Sequence, residues 1–194
     1  MTLSVALRLI SCLCVCFAPD GRAERYLSVD AAQKLCFPEA DAFERRVETF
    51  TADESRAIEK ACGVTVPLRG IPYVLASKSG IPVGVLALDR VMGKHEAIDY
   101  AVAIGRDGRV RQVEILEYRE SYGHEVRGAK WRAQFAGKDA ADPLRFREDI
   151  HNISGATISC RNVNEGVKRV LASYQLVVRP RLPAERLPGG PAAR

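Results

Sequence analysis

The alternation of apolar and turn-forming residues predicts four consecutive β-strands in the middle of the chain. Segments rich in Val, Ile, Leu and Tyr span residues 71–76, 83–91, 97–104 and 110–118. Between them lie Ser79-Gly80, Gly93-Lys94 and Asp107-Gly108, which favour tight turns. Because strands that follow one another through short turns pair antiparallel, we expect a meander sheet.

A long helix is predicted after these strands. Apolar residues recur there at helical spacing and would form one stripe, made of Val163, Val167, Val170, Leu171 and Tyr174. A shorter helix is predicted at residues 131–135. Beyond Val178, residues 179–194 are rich in Pro, Gly and Arg and offer little to bury, so we expect a disordered C-terminal tail.

Two further helices are predicted before the strands, in residues 24–70. Ser28 has the position of an N-cap for a helix that ends before Pro38. Thr51 and Glu54 have the spacing of a capping box, and Gly63 is placed to end that helix. The predicted fold class is therefore α+β. An antiparallel meander sheet packed with helices would fill residues 71–178, behind a small helical N-terminal unit.

Length and composition are those of one folded domain with short extensions. The chain has 194 residues, of which 47% are hydrophobic, and a net charge of +5. Residues 1–23 carry two Arg against one Asp (+1) and residues 179–194 carry four Arg against one Glu (+3), which leaves +1 for the body between them. A body so nearly neutral lacks the basic face of a nucleic-acid-binding protein, so we expect no nucleic-acid partner.

The first 23 residues have the pattern of an export signal. Arg8 precedes a run at residues 9–18 that is apolar except for Ser11. Its length is in the range of roughly 7–15 for a signal peptide and short of the roughly 20 that span a bilayer. Gly21-Arg22-Ala23 then offers a small-x-small cleavage pattern. One alternative is lipoprotein processing at Cys12, which would leave an apolar segment on the mature protein. The other is a buried first helix, but Asp20 would end it after too few residues. We expect cleavage after Ala23 and a location in the periplasm or on the outer face of the cytoplasmic membrane.

Three cysteines remain once the signal is removed: Cys36, Cys62 and Cys160. No two of them have C-x-x-C spacing, which argues against haem attachment through the usual motif and against a clustered zinc site, so we expect no metal. In an oxidising compartment Cys36 and Cys62 would be able to form a disulfide. Two separate buried thiols are the alternative, and the sequence is compatible with both.

The segment directly before the long helix has the composition of a phosphate-binding loop. Residues 152–159 read Asn-Ile-Ser-Gly-Ala-Thr-Ile-Ser. Small residues let the backbone approach a ligand closely, and the unpaired amides and dipole of a helix N-terminus favour an anion. The hydroxyls of Ser154, Thr157 and Ser159 are added at the same place. The alternative is plain capping of the helix by Thr157 or Ser159.

This motif resembles the flavinylation motif of FMN-binding domains. Residues 154–157 match its Ser-Gly-Ala-Thr, which an apolar residue and Ser159 follow. Upstream, the sequence Glu120-Ser121-Tyr122-Gly123 is similar to the family's Glu-Thr-Pro-Gly loop near the flavin ring, and the order of the elements agrees. The likeness covers roughly residues 80–174. The family includes periplasmic subunits of the sodium-pumping NADH:quinone oxidoreductase and of Rnf-type complexes.

The resemblance implies FMN as cofactor and a way to attach it. Thr157 would hold FMN through a phosphoester made by an FAD:protein FMN transferase. His151 stands where the consensus has Asp, and Cys160 where it has Ser, so noncovalent FMN in the same cradle is the alternative. The phosphate would be cradled by Ser154, Gly155, Ala156 and Ser159, and the ring would be bordered by Glu120, Ser121 and Gly123.

The function implied by the resemblance is that of an electron carrier in a bacterial envelope redox chain. Its partners would be redox proteins or a membrane complex in the envelope. Two alternatives remain open. One is a flavin-dependent reductase with its own small-molecule acceptor, and the other is a nonenzymatic sensory or structural module, without flavin, in which Thr157 only caps a helix.

Overall fold

The computed structural model describes residues 24–66, 69–119 and 124–183. Its centre is an antiparallel sheet in the order β1-β6-β5-β4-β3-β2. Strands β2 to β6 form a meander, and β1 pairs with the outer edge of β6. The strands are β1 (Glu24–Arg25), β2 (Ala42–Thr49), β3 (Gly70–Lys78), β4 (Ile81–Met92), β5 (Ala97–Gly105) and β6 (Val110–Tyr118).

The four predicted strands are confirmed as β3 to β6, together with their turns. Ser79 and Gly80, between β3 and β4, both have positive φ (50° and 78°), the backbone conformation that a two-residue hairpin turn of this twist requires. Strand β2 was not predicted, because its sequence is charged and only every third or so residue is partly buried. It lies at the sheet edge, where charged side chains are common. The predicted helical N-terminal unit is thus wrong in part, since it also supplies β1 and β2 to the sheet.

The capping residues predicted for the first two helices are confirmed. Helix α1 (Val29–Cys36) is capped by the side chain of Ser28. Helix α2 (Ala52–Cys62) has the full capping box of Thr51 and Glu54 and ends at Gly63, whose φ is +67°. Among the described residues, no helix combines the length and the apolar composition that crossing a bilayer would require.

The remaining helices follow the sheet. A 3₁₀ turn at His124–Arg127 leads into the short helix α3 (Ala129–Arg132) and a second 3₁₀ turn at Ala133–Phe135. Helix α4 (Thr157–Ser173) is the longest, and it continues through a π turn (Tyr174–Val178) into α5 (Arg179–Arg181). We refer to residues 129–135 as the α3 segment.

Helices cover both faces of the sheet. Along β3, Tyr73 and Leu75 belong to the core under α4, whereas Val74 and Ala76 belong to a second core under α1. This double burial explains why the central strands are almost continuously apolar rather than alternating. Gly84 on β4 leaves the space that the Phe37 ring fills, because an added Cβ would come within 2.5 Å of it.

The positions of Cys36 and Cys62 in the fold show whether they form a disulfide. Cys36 packs in the core under α1, whereas Cys62 packs with Ile58, Ala172 and Val177 between α2 and the end of α4. Cys36, Cys62 and Cys160 are all free and buried. The alternative of separate buried thiols is therefore confirmed, and the disulfide is wrong. Burial raises the pKa of the Cys36 thiol to about 12, so it is an unreactive core residue.

Helix α4 is held against the sheet by its predicted apolar stripe, all of which is buried. Gly166 lies directly over Tyr100 of β5, and a Cβ at that position would be 2.0 Å from the Tyr100 hydroxyl. That hydroxyl donates to Asp89 on β4, whose carboxylate also accepts from Arg169 of α4 at 2.6 Å. Burial raises the pKa of Tyr100 well above its ordinary value, so the phenol stays protonated as a donor.

The C-terminal boundary lies later than predicted. Residues Arg179–Arg181 form α5 instead of the start of a disordered tail. Arg181 is fixed by ion pairs with Glu54 at 2.7 Å and with Glu48 at 3.1 Å. The predictions for residues 1–23 and for the rest of the tail, 184–194, fall outside the described residues.

We predict that Gly166→Ala destabilises the protein although Ala favours helix formation by about 1 kcal/mol over Gly. The new methyl group would collide with Tyr100, and overpacking of this kind costs about 2 kcal/mol. Urea unfolding followed by circular dichroism measures the effect, with the half-exposed neighbour Glu165→Ala as control. A Gly166→Ala protein more stable than wild type would show that α4 does not sit this close to β5.

Candidate functional site

The loop before α4 turns sharply into the helix. Gly155 has φ +84°, a conformation that residues with a side chain rarely adopt, and open space surrounds the position of its missing Cβ. The amide of Ala156 donates to the carbonyl of Ile153 at 3.1 Å, which closes the turn. The first intrahelical hydrogen bond runs from Cys160 to Ala156. The amides of residues 157–159 therefore precede the first repeating bond of the helix.

Helix α4 begins without a side-chain cap. Its N-cap residue is Ala156, and no side chain of the described residues bonds to the free amides there. Thr157 is the first helical residue and Ser159 the third, so neither stands at the N-cap. The interpretation of this motif as plain capping is therefore wrong. An uncapped helix start with its positive dipole end is a favourable place for an anion.

The Thr157 side chain is half-buried and has a specific partner. Its Oγ1 accepts a hydrogen bond from Nδ2 of Asn152 at 3.0 Å. The Oδ1 atom of the same Asn152 amide is buried and, within the described chain, bonds to nothing. A buried acceptor left without a donor costs about 1–3 kcal/mol. This loop therefore carries a polar group that no described residue satisfies.

The other residues predicted for the cradle divide into two groups. Ser154 and Gly155 are exposed beside Thr157, as a ligand contact requires. Ala156 is buried and contributes its backbone to the turn. Ser159 is 4% exposed, and its hydroxyl is 3.2 Å from the hydroxyl of Tyr118 in the core. The structure thus brings Ser154, Gly155 and Thr157 together at the surface, and it directs the Ser159 side chain inward.

The predicted ring-bordering residues Glu120, Ser121 and Gly123 lie outside the described residues. Tyr118 is the last residue of β6, and its contact with Ser159 places the end of that strand against the first turn of α4. A pair of buried hydroxyls thus joins β6 to α4.

The residues that fix this loop were not predicted as part of the site. The peptide of His151 is held from both sides by the α3 segment: Trp131 Nε1 donates to its carbonyl at 2.8 Å, and its amide donates to Gln134 Oε1 at 2.7 Å. Trp131 is a buried core residue, stacked edge-on against Phe135 at 5.3 Å. Asn152 follows directly on this fixed peptide. Asn152 lies within the 152–159 motif, so the sequence places it near the site. Its contact with Thr157 could not be predicted, because that contact depends on the fold of the loop.

The arginines near the predicted flavin loop have protein partners. Arg119 forms ion pairs with Glu117 at 2.8 Å and with Asp99 at 3.1 Å. The guanidinium of Arg127 lies 3.8 Å from the centre of the Tyr26 ring. Both side chains therefore contact residues of the region around β1 and β6.

A separate cleft of about 590 Å³ opens on the α1 side of the sheet. Arg90 and Asp99 form an ion pair within its lining. The residues that line it include none of those predicted for the cradle. Its apolar lining is made of Leu27, Val29, Pro72, Leu88 and Leu116.

Comparison with known families identifies a domain in this chain. Residues 93–172 match the model of the FMN-binding domain family, a range that includes the 152–156 loop and nearly all of α4. The chain contains an FMN-binding domain. FMN is its cofactor.

The fold of this FMN-binding domain is shared with a solved structure. The crystal structure of NqrC from Shewanella oneidensis matches it with a TM-score of 0.50 and 16% sequence identity, over 74% of this chain and 84% of that one. At this identity the match establishes the shared fold. Comparison with the curated proteins gave no match.

The residues at the start of α4 fit the phosphate end of FMN. The helix offers free amides and a positive dipole end, and Gly155 leaves open space outside them. The first hydroxyl on α4, that of the half-buried Thr157, stands at the same end of the helix.

We predict that Ser159→Ala lowers the free energy of unfolding by about 1 kcal/mol, because it removes one buried hydrogen bond with Tyr118. It should leave the FMN content of the protein unchanged, since the hydroxyl faces the core. Urea unfolding and flavin absorbance after purification measure the two effects, with exposed Ser154→Ala as the control for stability. Loss of FMN at unchanged stability would show that Ser159 contacts the phosphate after all.

Proposed function

We propose that this protein is an exported electron carrier whose FMN is attached as a phosphoester to Oγ1 of Thr157. The observation that carries the proposal is that α4 begins with a hydroxyl-bearing residue that does not cap the helix. Thr157 stands at the first helical position, does not cap the helix, and is held by Asn152 beside amides to which no described side chain bonds. A threonine used only for folding would be expected at the N-cap, where its oxygen would satisfy an amide.

Attachment would use FAD as the co-substrate of an FAD:protein FMN transferase. Oγ1 of Thr157 attacks the phosphorus on the FMN side of the FAD pyrophosphate. The new bond joins Oγ1 to that phosphorus, the pyrophosphate bond breaks, AMP leaves, and the hydroxyl proton is released. No electrons are transferred in this step. The transferase supplies the base, because no described side chain bonded to Thr157 is able to accept a proton.

The chain's own residues would hold the phosphate end and leave the other end free. The amides at the start of α4 and the helix dipole stabilise the negative charge of the phosphodiester. Ser154 and Gly155 border it on the exposed side. When bound, FMN supplies one- or two-electron chemistry. Anchoring through the phosphate keeps the ring available to redox partners, which favours a carrier over an enzyme with an enclosed substrate pocket.

Export gives a reason for a covalent bond. A cofactor held loosely outside the cytoplasm is lost by mass action where free FMN is scarce, whereas a covalent bond keeps it in place. The sequence of residues 1–23 supports export, and cleavage after Ala23 would remove none of the described elements, since β1 starts at Glu24.

We expect protein recovered from the cell envelope to begin at Glu24 by N-terminal sequencing. Protein that retains Met1 and stays in the cytoplasm would contradict export.

We predict that co-expression with an FAD:protein FMN transferase adds one FMN to the wild-type chain and none to Thr157→Ala. The reason is that the substitution removes the oxygen that forms the ester. Intact mass and in-gel flavin fluorescence after denaturation measure attachment. Thr65→Ala, which changes an exposed threonine outside the site, is the matched control and should be labelled fully.

The outcomes of that experiment separate the possibilities. Flavin that leaves the wild-type chain on denaturation would replace the ester with noncovalent FMN. Labelling that persists in Thr157→Ala would place the ester elsewhere. With labelled protein in hand, rapid reoxidation by several redox partners is expected of a carrier, whereas saturable turnover with one class of small molecule would identify a reductase.

A further inference from the structure

We propose that Asn152 is a positioning residue for the attachment of FMN to Thr157. Its side-chain amide would fix Oγ1 in the orientation for attack and stabilise the charge that develops on it. This inference rests on the proposed function. It assigns a role to a residue outside the Ser-Gly-Ala-Thr segment that suggested the site.

The hydrogen bond constrains the nucleophile directly. Nδ2 of Asn152 donates to Oγ1 of Thr157 at 3.0 Å, which occupies one lone pair of the oxygen. The hydroxyl proton and the other lone pair must then point away from Asn152. A threonine side chain has few allowed rotamers, and this contact selects one of them. The reacting oxygen is thus oriented before the transferase binds.

The amide is itself held rigidly. Asn152 follows His151, whose peptide is bonded at its carbonyl by Trp131 (2.8 Å) and at its amide by Gln134 (2.7 Å). Both partners belong to the α3 segment, which packs into the core through Trp131 and Phe135. The donor therefore stands on a supported backbone, as preorganisation of a reacting group requires.

The unsatisfied oxygen of Asn152 argues for a role outside folding. Oδ1 is buried and bonds to nothing in the described chain, whereas nearly all buried polar atoms in proteins have a partner. Within the described chain, the hydrogen bond that the Asn152 side chain makes goes to Oγ1 of Thr157, the reacting atom of the proposed transfer.

The chemistry of the step uses a donor at this position. As Oγ1 loses its proton and attacks phosphorus, negative charge grows on the oxygen, and a fixed N–H donor stabilises it. Once the ester has formed, Oγ1 is the bridging oxygen and still has a lone pair that Nδ2 is able to reach. Asn152 neither takes the proton nor contacts the leaving AMP in this scheme, so its effect should fall on the rate of transfer.

The test compares Asn152→Ala with wild type in transferase kinetics. We expect kcat for covalent FMN transfer to fall about tenfold, which corresponds to the loss of one hydrogen bond, while KM for the acceptor protein is unchanged. Asn162→Ala is the matched control. It also removes one amide hydrogen bond near the start of α4, from Nδ2 to the Met92 carbonyl, but it does not touch Thr157. Its kcat should equal that of wild type.

Two further measurements keep the inference falsifiable if Asn152→Ala folds poorly. Asn152→Asp keeps the shape and loses the donor, so it should also be labelled slowly. In the Thr157→Ala background, Asn152→Ala should not change the Kd of noncovalent FMN, because Asn152 would act only through Oγ1. Wild-type kcat in either Asn152 variant, or a weaker Kd in that background, would overturn the role. A wild-type chain that is never labelled would instead reject the proposed function itself.

Discussion

The contact between α4 and the centre of the sheet is the constraint on which the rest of the structure depends. Gly166 lets the helix lie directly on Tyr100, and the buried Asp89–Arg169 pair fixes its position along the strands. Near its start, Tyr118 and Ser159 join the helix to the end of β6. With these contacts set, the first residue of α4 has a defined place at the surface, and that residue is Thr157.

The two parts of α4 have different roles: its body packs against the sheet, and its first turn lies at the candidate site. The body of α4 packs into the core, whereas its start has an alanine at the N-cap and, among the described residues, no side chain bonded to its first amides. Serine or aspartate at an N-cap stabilises a helix by about 1 kcal/mol over alanine. Without such a cap, the dipole and the first amides of α4 are available to an anion.

The sequence predicted those parts of the fold that depend on local signals. Turn pairs such as Ser79-Gly80 located β3 to β6, and the Thr51–Glu54 capping box located α2, because both signals act within a few residues. Strand β2 was missed because a charged edge strand has no apolar period. The disulfide could not be judged, since the separation of Cys36 from Cys62 arises from packing between distant segments. The inward direction of Ser159 was available in principle, because residues two apart on a helix face different sides.

The central claim is that the phosphate of FMN becomes a diester on Thr157, and phosphorus NMR of the purified yellow protein tests it most directly. A phosphate monoester in solution titrates with a second pKa near 6, whereas a diester has no proton to lose in that range. We expect the protein, after unfolding and desalting, to keep one flavin phosphorus resonance whose position is constant from about pH 5 to 8. A resonance that shifts through about pH 6, and that is lost on unfolding and desalting, would contradict the account.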